Sequence, residues 1–206
     1  IKDSPTSDIV SLVDKFAAKG IPIYTAPKHQ FDQMCDTRTP QGILAVVTKK
    51  EREINQNKPF IILDGVSDPG NIGTIIRTAD WFGFNQIIAG NEAADQFNPK
   101  TVRSTMGSLF RTNVFYHEDL AAFIKETFPD HKLYAATLRA RTPMKSVHPS
   151  GKFGLVLGNE SKGISRKLGR LVKNKFRIEG KGRTESLNVA IALGIILYHF
   201  SIELKN

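Results

Sequence analysis

From Val189 to Phe200 the chain is apolar almost throughout, and Glu185-Ser186-Leu187-Asn188 stands at the entrance to that run. A helix with no polar face has to be buried on all sides. A closing helix is therefore expected over Leu187–Phe200, enclosed by other layers. It is too short to span a membrane, and it holds Asn188, Gly194 and His199. The polar mouth follows a basic, glycine-rich segment, Gly180-Lys181-Gly182-Arg183. Unpaired polar groups in a core cost roughly 1–3 kcal/mol each, so this mouth is expected to meet partners or a ligand.

Upstream, short apolar runs alternate with helical patterns. Phe60–Leu63, Gln86–Ala89, Asn113–Tyr116, Lys132–Thr137, Gly154–Leu157 and Phe176–Ile178 read as strands. Ile72–Phe82, Lys100–Ser108 and Leu120–Glu126 read as helices between them. This alternation predicts an α/β fold with a mainly parallel sheet. Before it, Asp8–Lys19 has the spacing of an amphipathic helix, Phe31–Cys35 reads as a short helix, and Ile21–Tyr24 and Ile43–Val47 as strands. KKEREINQNK, Lys49–Lys58, is charged and aperiodic, which divides the chain into residues 1–50, a linker 51–58 and a domain 59–206.

The chain opens on Ile1 without a methionine and reads as a fragment, with no signal peptide. Cys35 is its one cysteine, which excludes an internal disulfide and a cysteine-rich zinc site and fits a reducing cytoplasm. Net charge is +9, and such an excess suits a polyanionic partner, most simply nucleic acid. The distribution sharpens this. Lys162–Arg183 holds nine Lys or Arg against one acid, Glu179.

Three loops carry the candidate chemistry. DGVSDPGNIG, Asp64–Gly73, follows a buried strand and leads into a helix bearing Arg77. LGNESKGIS, Leu157–Ser165, follows another strand and brings Glu160. The third runs from Phe176 to Asn188. In open α/β sheets ligands sit at the carboxyl ends of strands, so three such loops predict one small-molecule pocket. Neither a dinucleotide fingerprint nor a P-loop is present. The five histidines lack metal spacing and stand beside no candidate nucleophile.

DPGNIGTIIRTA, LVLGNESKGIS and IEGKGRTESLNVAIA, with NPKTVRSTMG between the first two, resemble the ordered motifs of the SpoU (TrmH-like) branch of the SPOUT RNA methyltransferases, over about Phe60–Phe200. Residues 4–48 resemble the latter part of that family's small, L30e-like RNA-binding domain. The resemblance implies a sheet whose C-terminus forms a deep trefoil knot, a homodimer, and S-adenosylmethionine as methyl donor without a metal. It implies 2′-O-methylation of a ribose in 23S ribosomal RNA. A transfer RNA substrate, or a catalytically silent RNA-binding protein of this fold, is the alternative. By position, Arg77, Asn71, Glu160, Ser186 and Asn188 match the family's polar active-site residues, and Thr137, Gly158, Ile178 and Leu187 its cofactor contacts. Glu179 stands where the family usually has proline.

A 2′-hydroxyl is a weak nucleophile that must lose its proton during attack. Arg77 is expected to stabilise the emerging oxyanion, since a guanidinium stays protonated and is a poor base. Asn71 and Glu160 would orient it or the ribose, while Ser186 and Asn188 brace the loop. Arg103, Arg111, Lys162, Arg166, Lys181 and Arg183 are expected to line the path of RNA phosphates.

Overall fold

The computed structural model describes residues 1–49 and 52–204 and divides the chain into two compact units, Ile1–Glu51 and Arg52–Asn206. In the first unit, α1 (Ser7–Ala17) and α2 (Lys28–Met34) are helical, and Phe31 of α2 is buried. Ile21–Tyr24 and Ile43–Val47 do not form the expected strands. The pattern for strands is there, but no ladder partner lies alongside among the described residues. The neighbouring backbone that does pair is Ile1–Asp3, which bridges Lys2 to Ala26 and takes a bond from Lys2 N–H to Gly42 C=O (3.0 Å). The two extended segments instead help line an apolar groove of about 650 Å³ together with Val13 and Phe16.

The second unit is a six-stranded sheet in the order β3-β2-β1-β5-β4-β6, with every pair parallel. The strands are β1 (Phe60–Asp64), β2 (Gln86–Gly90), β3 (Asn113–His117), β4 (Lys132–Ala136), β5 (Phe153–Gly158) and β6 (Asn174–Phe176). Both faces are covered, which explains the unbroken apolar runs. Side chains alternate between two cores. Ile61, Leu63, Leu155 and Leu157 meet α3 (Pro69–Trp81) and α7 (Val189–Glu203) on one face. Phe60, Ile62 and Val156 meet α5 (Leu120–Thr127) and α6 (Arg166–Leu171) on the other. Each such side chain contributes roughly 1.5–3 kcal/mol by leaving water.

The connections order the chemistry. The chain builds outward from β1 to β3, crosses to β4, inserts β5 between β1 and β4, and places β6 outside β4. Then α7 returns to pack on α3 and β5. Because all strands run the same way, every loop that follows a strand lies on one edge.

Three expectations shift. The last strand is Asn174–Phe176 rather than Phe176–Ile178, because Arg177 leaves the ladder with β4, its N–H donating to Thr142 C=O and its C=O accepting from Met144 N–H (both 2.9 Å). The basic run contains a helix, α6, held by Leu168, which is buried. Helix α4 is only Pro99–Ser104, because Met106 and Gly107 take positive φ and break it.

Helix α7 is also not enclosed on all sides. Leu193, Ile196, Leu197 and Phe200 are buried, but Ile191 and Tyr198 are 57% and 63% exposed. They lie seven residues apart, on one stripe. No helix among the described residues is long and apolar enough to cross a membrane.

Candidate active site

Helix α3 begins where the first loop ends. Asp68 caps it, accepting from Asn71 N–H (2.9 Å), and Pro69 fills the first helical position, where a missing N–H costs nothing. Lys100 of α4 (Pro99–Ser104) holds the same carboxylate at 2.9 Å. That hydrogen bond, with help from Asn71 N–H, keeps the Asp68 carboxyl below its ordinary range. The cap aims Asn71 out of the first turn.

The Asn71 side chain ties three distant segments together. Its Nδ2 donates to Glu160 Oε1 (2.8 Å), and its Oδ1 accepts from Asn188 Nδ2 (3.0 Å). Asn188 Oδ1 in turn accepts from Ala190 N–H (2.9 Å) and Ile191 N–H (3.3 Å), capping α7. The directions are mutually consistent. An ionised carboxylate only accepts, so Nδ2 must face Glu160, which leaves Oδ1 for Asn188.

The loop after β5 is equally constrained. Asp64 and Gly158 are register partners on β1 and β5. Asn159 donates through Nδ2 to Gly65 C=O (2.8 Å) and accepts at Oδ1 from Ser161 and Lys162 N–H (both 2.9 Å). Asn159 and Gly163 exchange backbone bonds, and Gly163 takes φ +69° to close that turn. A Cβ on Gly158 would lie 2.4 Å from the Gly163 carbonyl carbon. Asp64 accepts from Ser165 N–H at 2.6 Å. Across the sheet, Thr137 N–H donates to Phe176 C=O (2.8 Å), and Ile178 packs on the core beside the loop that leads to α7.

Asn71, Glu160 and Asn188 therefore meet, and Gly158 lies two residues before Glu160. Thr137 and Ile178 share the same edge. Arg77 lies six residues along α3 from Asn71, about 9 Å of helix rise. It is exposed and makes no hydrogen bond or ion pair among the described residues. Ser186 and Leu187 are exposed, as are Lys181 and Arg183 in the same segment. Lys162 and Arg166 are exposed at the turn and at the start of α6, and Arg103 is exposed on α4. Arg111 is engaged instead. Its guanidinium grips Asp80 of α3 at 2.9 and 2.7 Å, which lowers the Asp80 carboxyl pKa and raises its own.

Two groups were not singled out from sequence. Asn159 stitches two loops together, and its signal was an amide between Gly158 and Glu160. Leu138 is a large apolar residue 65% exposed on the carboxyl-edge loop directly after Thr137. An unburied leucine beside a polar loop gives no sequence signal.

Residues 58–198 match the SpoU rRNA Methylase family, and residues 2–53 match the RNA 2'-O ribose methyltransferase substrate binding family. The 23S rRNA (guanosine(2553)-2'-O)-methyltransferase RlmP of Bacillus subtilis is 35% identical over 87% of this chain and 73% of its own length. The 23S rRNA (guanosine-2'-O-)-methyltransferase RlmB of Escherichia coli K12 is 26% identical over 96% of this chain and 86% of its own. The AdoMet-bound rRNA methyltransferase of Sinorhizobium meliloti superposes with a TM-score of 0.79 at 29% identity, over 96% of this chain and 78% of that one. The sheet order, the three joined loops and these matches lead to one conclusion: the chain belongs to the SpoU rRNA methylase family.

Proposed function

We propose that this protein is an S-adenosylmethionine-dependent RNA 2′-O-ribose methyltransferase acting on 23S ribosomal RNA. The observation that carries it is the Glu160–Asn71–Asn188 chain of hydrogen bonds, which joins all three motif loops. Two of the relatives, RlmP and RlmB, are named as 23S rRNA methyltransferases, and the match of residues 2–53 to a substrate-binding family favours that RNA over transfer RNA.

The residues present fit the methyl donor. Leu138 and Leu187 leave apolar surface in solvent on carboxyl-edge loops, and Ile178 packs partly buried against the core at the same edge. Apolar faces beside loop backbone suit an adenine ring, which binds by stacking and by bonds to main-chain groups. Thr137, Gly158, Ile178 and Leu187 would hold it. When bound, S-adenosylmethionine supplies an electrophilic methyl group.

The chain's own residues have the remaining work. Glu160 is held as an acceptor able to orient a ribose hydroxyl. Asn71 fixes Glu160, and Asn188 fixes Asn71 through the α7 amides. Arg77 is a permanent cation with five donors, and it stabilises the oxyanion as the 2′-hydroxyl proton leaves to water or phosphate. Ser186 braces the third loop. Lys162, Arg166, Lys181, Arg183 and Arg103 contact RNA phosphates, with the exposed edge of Arg111.

The C-terminal trefoil knot belongs to the same proposal. Its support is the insertion of β5 between β1 and β4, followed by the return of α7 to α3. A homodimer covers the exposed apolar stripe of α7, together with Trp81 of α3, 84% exposed. The lone cysteine and an RNA substrate fit the cytoplasm.

The test is methyl transfer from labelled S-adenosylmethionine to unmodified 23S rRNA, with the product nucleoside identified by mass spectrometry. A 2′-O-methyl ribonucleoside is expected. A methyl group on a base, or no transfer despite donor binding, would overturn the proposal.

A further inference from the structure

The stretch 52–58 reads as a charged, aperiodic linker, yet it is built into the second unit. Arg52 donates through its guanidinium to Asn113 Oδ1 and to Phe110 C=O, the latter at 2.8 Å. Two residues on, Ile54 packs against the core on the α5 face. Asn55 and the carboxamide of Gln86 then exchange a pair of bonds. Asn55 N–H donates to Oε1 (2.7 Å), and Nε2 donates to Asn55 C=O (3.2 Å). Gln86 is only 2% exposed. A buried carboxamide left unpaired would be costly, and in β2 its satisfied partner is this backbone. Asn55 also closes its own turn, accepting from Asn57 N–H at Oδ1 (2.8 Å) and from Lys58 N–H at its carbonyl (3.3 Å).

Gln86 and Asn113 open β2 and β3, so the attachment lies on the amino edge of the sheet. The candidate active site lies on the carboxyl edge, a strand height of roughly 16 Å away. The attachment therefore touches neither the donor loops nor Arg77.

We infer that Arg52 and Gln86 are positioning residues that fix where the substrate-binding unit is tethered, and so raise the local concentration of RNA it delivers. Were 51–58 a free linker, its ends would wander over roughly 16 Å. With 52–58 bolted down, unit 2 gives the tether no slack of its own. Local concentration falls about as the −3/2 power of tether length, so freeing seven residues should weaken RNA capture roughly fivefold to tenfold. The inference rests on the methyltransferase reading only for its rate readout.

The test uses the full chain. Arg52→Ala/Gln86→Ala removes the attachment. A second variant keeps it and inserts eight Gly/Ser residues between Val47 and Thr48. Filter binding of unmodified 23S rRNA and single-turnover methyl transfer are read for each. Both variants should raise the Kd and KM for RNA roughly fivefold to tenfold, and leave the turnover of bound RNA and the affinity for S-adenosylmethionine as in the parent. An unchanged RNA Kd in the insertion variant would overturn it, because slack alone would then not matter. So would a loss of turnover or donor affinity in the double variant without a change in RNA Kd, which is the mark of a merely structural role. Filter binding needs no turnover. A parent protein that transfers no methyl group overturns the enzymatic proposal, and the RNA Kd values still decide this one.

Discussion

At the scale of single residues, Asn71 and Arg77 are opposites. Asn71 is the one carboxamide that donates to Glu160 while accepting from Asn188. Alanine there frees both partners, and aspartate sets a second carboxylate against Glu160. Bonds to charged groups contribute about 1.5–3 kcal/mol. Asn71→Ala should therefore cut single-turnover methyl transfer roughly tenfold to a hundredfold, and Asn71→Asp further. Arg77 has no partner among the described residues, so Arg77→Ala should leave the melting temperature unchanged. Donors aimed at a developing oxyanion contribute about 2.7–4 kcal/mol, so its transfer rate should fall by about two to three orders of magnitude. Parent-like turnover in Arg77→Lys, which keeps charge but loses the fork, would defeat the role assigned to it. Asn71, Glu160 and Asn188 were legible in sequence through their positions in the three motifs that resemble the SpoU family, each a polar segment beside an apolar run. The chain of hydrogen bonds among them was not, since it spans separations of 89 and 117 residues.

At the scale of elements, backbone approach decides tolerance. A Cβ on Gly73 of α3 would sit 2.4 Å from Ser104 Cβ and 2.6 Å from Thr101 C=O of α4. Overpacking of this kind costs about 1–3 kcal/mol, so Gly73→Ala should lower the calorimetric melting temperature by several degrees. Tyr116 pins the loop between β2 and α4, donating to Ala94 C=O and accepting from Gln96 N–H (both 2.8 Å). Burial pushes its phenol up to about 12. The unfolded chain ionises near 10, so this stabilisation is whole below pH 10 and fades as pH climbs towards 12. Chemical denaturation across that window should show stability declining in the parent and a flatter profile in Tyr116→Phe, from a lower starting value. The unit 2 strands were legible to within a few residues, because a strand buried on both faces leaves an unbroken apolar run. The pattern over Ile21–Tyr24 and Ile43–Val47 was equally apolar, but a strand exists only when a neighbour completes its ladder. Helix α6 was hidden for a different reason, since its one buried apolar anchor, Leu168, sits among basic residues that signal a solvated surface.

At the scale of the whole molecule, charge and apolar surface divide the labour. Residues 1–51 carry seven Lys or Arg against six Asp or Glu, so nearly all of the +9 excess belongs to residues 52–206. Phosphate attraction is thus expected of the unit with the candidate active site, while the RNA recognition proposed for residues 1–51 would rest on little net charge. Each phosphate contact contributes about −0.9 to the slope of log K against log salt for duplexes and about −0.7 for single strands. Lys181→Ala/Arg183→Ala should therefore flatten that slope by roughly 1.4 to 1.8 in a filter-binding titration, and an unaltered slope would remove both from the RNA path. The apolar surface makes the complementary case. Ile191 and Tyr198 share one stripe of α7, and a helix apolar all round is stable in water only when that stripe is covered. A second copy of the same chain supplies the same stripe, which is the condition for a two-fold interface. Ile191→Glu/Tyr198→Glu should leave the folded sheet intact by circular dichroism, because neither side chain enters its core, and should convert a dimer to a monomer in sedimentation velocity. A parent protein that sediments as a monomer would leave the stripe to another partner and withdraw the homodimer.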